Sequence, residues 1–321
     1  MRIVVLDGYT LNPGDNPWDG LAALGPFEAH DRTEPAEVVD RLGDAEIAVI
    51  NKVILDESTF AVLPRLRMVA VTATGVNVVD LASAARHGVV VSNVPTYGTE
   101  SVAQFTLALL LELASRVGEH DRAVREGAWA SSPDFSFWRT TPVELSGRTL
   151  GIVGMGAIGS RVGALASALG MSILAASRPG GKRQTPDYEP FSWCDLGELF
   201  ERSDVVSLHC PLTDDNERFV DAALLARMKT GAWLINTARG GLVDEGALAR
   251  ALEEGWLAGA AVDVVSKEPV DPGNPLLHAP RCIVTPHMAW ATLAARRRLM
   301  QTTVANVQAF LAGRPINMVG P

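Results

Sequence analysis

The sequence predicts an α/β protein built from two doubly wound parallel sheets, and three observations carry that prediction. The chain of 321 residues is long enough for two domains of ordinary size. Its first hundred residues alternate short apolar runs with helical patterns, the order that builds a parallel sheet covered by helices. A second series of the same kind begins at Leu150. There an apolar run leads into closely spaced glycines and then into apolar residues at helical spacing.

In the first series, Ile3–Leu6 reads as a strand, and Trp18–Leu24 and Pro35–Leu42 carry helical patterns. Ile47–Ile50 and Met68–Thr72 are further apolar strands. Asp80–His87 is helical, with Gly88 as its stop, and Val89–Ser92 is another strand. The loop after the first strand, D-G-Y-T-L-N-P-G, has no G-x-G-x-x-G spacing. The chemistry-bearing loops here are those at strand ends, where ligands of open α/β sheets sit: Asn51-Lys52, and Thr72 to Asn77 with Thr74, Gly75 and Val76. On position alone, Lys52 is as readily a solvated lysine as a substrate contact.

Pro95 to Gly98 punctuates the chain, and one long helix is expected from Thr99 to Glu126. The loop from Trp129 to Pro142 holds four aromatics, Trp129, Phe135, Phe137 and Trp138, and few aliphatics. Such a cluster fits either an interface or a loop folded back on its own domain.

The second series opens with T-L-G-I-V-G-M-G-A-I-G (Thr149–Gly159). Gly154 allows the tight turn, Gly156 lets backbone approach a pyrophosphate, and Gly159 lets the helix pack close to the strand. The helix start at Met155, Ala157 and Ile158 offers free N–H groups to the phosphates. The series is therefore expected to be a Rossmann-type dinucleotide-binding unit. Its later strands are Met171–Ala176, Val205–His209, Ala232–Asn236, Ala260–Val264 and Cys282–Val284, with helices at Asp221–Met228 and Asp244–Glu253 between them. A helix from Thr292 to Leu311 is too long for a tail and is expected to pack on the first domain. That divides the chain into residues 1–98 plus 288–321 as a substrate domain and 99–287 as a dinucleotide-binding domain. The crossings fall near Pro95–Thr99 and Pro286–His287.

The composition is 47% hydrophobic and 20% charged, that of a globular protein. A formal charge of −9 argues against nucleic-acid and acidic-membrane partners. Three scattered cysteines, Cys194, Cys210 and Cys282, form no C-x-x-C pair, so neither a disulfide framework nor a metal site is expected, and the compartment is expected to be the cytoplasm. The N-terminal M-R-I-V-V-L-D-G reads as a first strand and not as a signal peptide. The apolar run at Phe105–Leu111 is too short to span a bilayer.

Three strand ends of the second series each deliver one reactive side chain, Arg239, Glu268 and His287, to the same sheet edge as the glycine loop. Each alone has an ordinary explanation, a solvated charge or a structural histidine; their joint placement is the stronger fact. The planar fork of Arg239 matches a carboxylate and a neighbouring carbonyl oxygen. His287 has the intrinsic range for proton transfer near neutrality, and an adjacent Glu268 favours the imidazolium.

The segments T-A-R-G-G-L-V-D-E (Thr237–Glu245), A-V-D-V-V-S-K-E-P (Ala261–Pro269) and T-P-H-M-A-W-A-T (Thr285–Thr292) resemble motifs of the D-isomer-specific 2-hydroxyacid dehydrogenases. G-M-G-A-I-G and H-C-P-L-T (His209–Thr213) fit the same family, and the resemblance runs through nearly the whole chain in order. Within the family, V-L-D-G-Y-T-L-N-P-G, A-T-G-V-N-V-V-D, S-P-D-F-S-F-W and P-H-M-A-W-A-T look most like the glycerate dehydrogenase/hydroxypyruvate reductase branch.

The resemblance implies NAD(P)H-dependent reduction of a small 2-oxo acid, with hydroxypyruvate and glyoxylate preferred. Arg239 would hold the carboxylate and polarise the keto group, and His287 would be the acid in reduction with Glu268 as its partner. Asp263 would meet the nicotinamide carboxamide, and His209, Cys210, Pro211, Thr237 and Ala238 would line the cofactor. Backbone at Thr74-Gly75-Val76 would bind the carboxylate. The family is typically homodimeric through the long helix and the loop after it. One departure concerns the cofactor: Ser177 and Arg178 follow the second strand of this domain, where an NAD site usually carries an acid. NADP(H) is therefore preferred, with NAD(H) possible. The rivals are a reductase of another 2-oxo acid, such as 2-ketogluconate or 3-phosphohydroxypyruvate, and a nucleotide-sensing scaffold like the family's corepressor relatives.

Overall fold

The computed structural model describes residues 1–176 and 184–320. The chain divides into two compact units, Met1–Gly98 with Trp290–Pro321, and Thr99–Ala289. The second crossing follows Ala289 because the N–H groups of Met288 and Ala289 are both bonded to Asp263, within the second unit.

The first unit is a five-stranded sheet of order β2-β1-β3-β4-β5, parallel throughout. Its strands are β1 (Ile3–Val5), β2 (Phe27–Ala29), β3 (Ile47–Ile50), β4 (Met68–Val71) and β5 (Val90–Ser92). The helices are α1 (Asp19–Ala22), α2 (Val38–Leu42), α3 (Glu57–Val62) and α4 (Leu81–Arg86). Ile3, Val4, Ile47, Ile50, Met68 and Val69 are completely buried, as expected of strands covered on both faces. Asp56 and Asp80 cap α3 and α4 by accepting the N–H of Thr59 and Ser83. The edge strand β2 and the helix α3 were not expected from the sequence.

In the second unit the expected single helix is two, α5 (Thr99–Ser115) and α6 (Val117–Arg125). Arg116 between them has a left-handed φ of 51°. The Glu112 carboxylate accepts the N–H of Gly118 at 3.2 Å, so the end of one helix supplies the start of the next. The sheet has seven parallel strands in the order β12-β11-β10-β9-β6-β7-β8. They are β6 (Thr149–Val153), β7 (Ser172–Ala176), β8 (Phe191–Trp193), β9 (Val205–Leu208), β10 (Ala232–Asn236), β11 (Leu257–Val262) and β12 (Cys282–Val284). Helices α7 (Ala157–Ala168), α8 (Leu196–Arg202), α9 (Ala222–Leu225) and α10 (Glu245–Glu253) connect them, and α11 (Leu293–Leu311) closes the first unit. The chain leaves β6 towards β7 and β8 on one side and towards β9 to β12 on the other. The crevice above β6 and β9 is thus the switch point where doubly wound sheets bind ligands.

Candidate active site

Because every strand of the second sheet is parallel, all its strand ends open on one edge. At β6 the chain turns through Gly154, whose φ of 98° suits a residue without a Cβ. A side chain there would also crowd the Cys210 amide at 2.8 Å, so the turn lies against the His209-Cys210 segment after β9. A Cβ on Gly159 would strike the Gly154 carbonyl, which accounts for the third glycine, whereas one on Gly156 would meet open space.

Helix α7 starts at Gly156 with no side chain capping it, in contrast to α8, α9 and α10, which Asp195, Asp221 and Asp244 cap. Uncapped N–H groups above an open glycine are what a pyrophosphate requires, so the residues present fit a dinucleotide. His209 accompanies this turn. Its Nε2 lies 2.8 Å from the Ser207 hydroxyl, and burial pushes its pKa down to about 4, so the ring stays neutral beside the glycine turn.

Strands β10, β11 and β12 are neighbours, and their ends carry the three candidate reactive residues. After β10, buried Asn236 shapes the turn that presents Arg239: its Oδ1 accepts the Ala238 N–H at 3.0 Å, and its Nδ2 donates to the Arg239 carbonyl at 2.9 Å. The Arg239 side chain is exposed and donates to the Ala238 carbonyl. Thr237 is tied to Thr106 of α5 through their hydroxyls, 3.0 Å apart.

After β11 comes Asp263, 1% exposed. Its Oδ1 accepts the Thr285 hydroxyl at 2.7 Å and the Met288 N–H at 2.9 Å, and its Oδ2 accepts the Ala289 N–H at 2.8 Å. Its carbonyl accepts the His287 N–H at 2.8 Å. Burial pushes the Asp263 carboxyl above its usual range, against the opposite pull of these donors. His287, with a left-handed φ of 51°, is therefore held on the segment 285–289 that Asp263 gathers. The Ser101 hydroxyl adds a bond to the Ala289 carbonyl at 2.6 Å. On the ring side, His287 Nδ1 lies 2.6 Å from Glu268 Oε2. Both side chains keep about a third or less of their surface, 28% and 32%, so the pair is reachable without being immersed in solvent.

The remaining expected residues fall elsewhere. Lys52 is exposed, and its loop is folded on Asp7, which accepts the N–H groups of Asn51, Lys52 and Val53. Thr74 donates to the Val94 carbonyl, and Gly75 and Val76 are half-buried. All four belong to the first unit. Ser177 and Arg178, and the nearby Lys182 and Arg183, lie outside the described residues. Burial raises the Cys210 thiol, and that of Cys282 to about 12, so neither offers a thiolate near neutrality. Among the described residues, no group of His, Cys, Asp and Glu is placed to hold a metal ion, and no helix is long and apolar enough to cross a membrane.

Sequence reasoning missed Asn236, Thr285 and Glu245 as supports of the site. Asn236 and Thr285 each stand within three residues of a reactive side chain, at the strand end that delivers it.

Comparison with known proteins places the chain in a family. Residues 107–289 match the family described as D-isomer specific 2-hydroxyacid dehydrogenase, NAD binding domain. The chain is 47% identical to a hydroxypyruvate reductase of Blautia hydrogenotrophica, over 99% of both chains. It is 42% identical to a glycerate dehydrogenase of Methylorubrum extorquens, over 89% of this chain and 88% of that one. Among solved structures, it resembles an NADPH-dependent glyoxylate/hydroxypyruvate reductase of Sinorhizobium meliloti in complex with NADP and malonate. The TM-score is 0.82 at 28% identity, covering 99% of this chain and 96% of that one.

Proposed function

The chain belongs to the D-isomer-specific 2-hydroxyacid dehydrogenases, and from that premise we propose that it reduces hydroxypyruvate or glyoxylate to the corresponding 2-hydroxy acid. The observation that carries the reading is the Glu268–His287 pair at the ends of β11 and β12, on the same sheet edge as the glycine turn. A nicotinamide cofactor, when bound, supplies the hydride. His287 delivers the proton to the keto oxygen from Nε2, because Nδ1 is engaged by Glu268. Glu268 orients the ring and stabilises its protonated form. Arg239 pairs with the substrate carboxylate and polarises the carbonyl. In the first unit, Lys52 and the Thr74–Val76 backbone are the candidate carboxylate-binding groups.

The cofactor is NADP(H) in preference to NAD(H), on the sequence that follows β7. Ala176 is succeeded by Ser177 and Arg178, which can bind a 2′-phosphate, and not by the acid that would repel it. The chain acts as a homodimer through the segment after α6. Phe135 is 91% exposed and Trp138 62%, although Thr140 and Arg139 tie the segment back to Glu119 and His120 of α6. Three free cysteines fit a cytoplasmic location.

The test is a steady-state panel of 2-oxo acids with NADH and NADPH. The highest kcat/KM should fall on hydroxypyruvate or glyoxylate. A clear preference for a phosphorylated or longer 2-oxo acid, or no turnover of any, would overturn the reading.

A further inference from the structure

We propose that Glu245 is a positioning residue for the acid–base pair, acting through the loop that carries Glu268. Glu245 is the first residue of α10. Its Oε1 accepts the Ser266 N–H at 2.7 Å, and its Oε2 accepts the Ser266 hydroxyl at 2.8 Å and the Asn274 side-chain N–H at 2.9 Å. One carboxylate therefore grips both ends of the segment 266–274. Asn274 is buried and is itself fixed, its Oδ1 accepting the Leu276 N–H at 3.0 Å.

Glu268 lies two residues beyond Ser266. Its Oε1 faces the Val265 N–H at 3.3 Å while its Oε2 meets His287. The adjacent amides of Val265 and Ser266 are thus divided between Glu268 and Glu245. The same peptide is the surface against which the Arg239 turn rests. A Cβ on Gly240 would overlap the Val265 carbonyl and the Ser266 nitrogen, so only glycine allows that approach. A grip on the Val265–Ser266 peptide consequently sets the Arg239 turn and the origin of the Glu268 side chain together. All three donors to Glu245 are neutral, and a charged acceptor makes shorter and stronger bonds to them than an amide would.

Losing the grip should let Glu268 drift from His287, and misplacement by about 1 Å can cost on the order of 100-fold in rate. The inference rests on the acid–base reading of Glu268 and His287, and the experiment separates the two. Parent, Glu245→Ala, Glu245→Gln, Glu268→Gln and His287→Ala are compared in hydroxypyruvate reduction across pH, with deuterated reduced cofactor to verify that hydride transfer limits the rate. In the cofactor-free chain, the His287 ring resonance, assigned by its absence from His287→Ala, is followed through a pH titration. Asp263 also faces His287 and is unchanged in every variant.

Glu245→Ala should lower kcat by about 10- to 100-fold. It should also move the alkaline limb of kcat, and the ring titration, to lower pH, in the same direction as Glu268→Gln. Glu245→Gln retains an acceptor for Ser266 but presents an amide N–H to Asn274, so it should fall between Glu245→Ala and the parent. A lower melting temperature with the limb and the titration at their parental positions would reduce Glu245 to a structural fastening and overturn the proposal. If Glu245→Ala fails to fold, Glu245→Gln decides on the same readouts. Full activity in His287→Ala would instead overturn the acid–base reading itself.

Discussion

Glu268 and His287, 19 residues apart in sequence, meet through Oε2 and Nδ1 at 2.6 Å from the ends of two neighbouring parallel strands. Neither strand end alone makes an acid; the pairing leaves Nε2 of the ring for the substrate. His287→Ala should therefore lose on the order of 10²–10⁴ in kcat while still binding cofactor. Glu268→Gln should keep the ring in place but stop stabilising its charged form, so reduction should fade at lower pH than in the parent. Stopped-flow rates of hydride transfer across pH measure both effects, and an unchanged profile in Glu268→Gln would disprove the coupling.

His209 predicts a distinct pH effect, on stability. Burial holds its folded pKa at about 4, below the unfolded value near 6.5. Between those values the unfolded chain binds the extra proton, so this contribution is complete above about pH 6.5 and is lost as pH falls towards about 4. It amounts to about 3 kcal/mol once the pH has fallen to about 4, of which about 2 kcal/mol is lost by pH 5. Urea unfolding of the parent and His209→Gln at pH 7.5 and pH 5 isolates it from the titrating carboxylates common to both. The parent should lose more stability than the variant on acidification, and equal losses would contradict the burial.

The cofactor preference should reverse when the segment after β7 is altered. Ser177→Asp with Arg178→Ala removes the proposed partner of a 2′-phosphate and adds a charge that would repel it. The ratio of kcat/KM for NADPH to that for NADH should exceed one in the parent and fall below one in the double variant. Equal use of the two cofactors by the parent, or no change in the variant, would rule out the assignment.

Phe135 and Trp138 stand exposed on a segment fastened by polar bonds to α6, an arrangement that suits burial against a second copy. Replacing both by serine should turn a dimer into a monomer in sedimentation equilibrium at micromolar concentration. A parent that sediments as a monomer, or a variant that stays dimeric, would remove these residues from the interface.

The central strands were legible because their residues are apolar in unbroken runs: Ile47–Ile50 and Met68–Val71 throughout, and Ala232–Asn236 up to its terminal Asn236, all buried along their whole length. The edge strands Phe27–Ala29 and Phe191–Trp193 were not, because a polar residue, Glu28 or Ser192, interrupts each run of three and leaves no apolar run to register. The break at Arg116 was hidden because V-G-E-H continues a helical pattern. What ends α5 is a side chain, Glu112, taking the N–H of Gly118.

By itself, the sequence determined the two parallel-sheet series and the glycine turn at Gly154–Gly159, and it singled out Arg239, Glu268 and His287 as candidates, since apolar runs and residue types at strand ends are local properties. Tertiary structure alone decided how those side chains are held. Asp263 gathers Thr285, Met288 and Ala289 from more than 20 residues away, and Glu245 grips Asn274 across 29. Such bonds depend on which strands lie side by side and on how closely Gly240 lets two turns approach. Both are consequences of packing the whole sheet, and no window of sequence contains them.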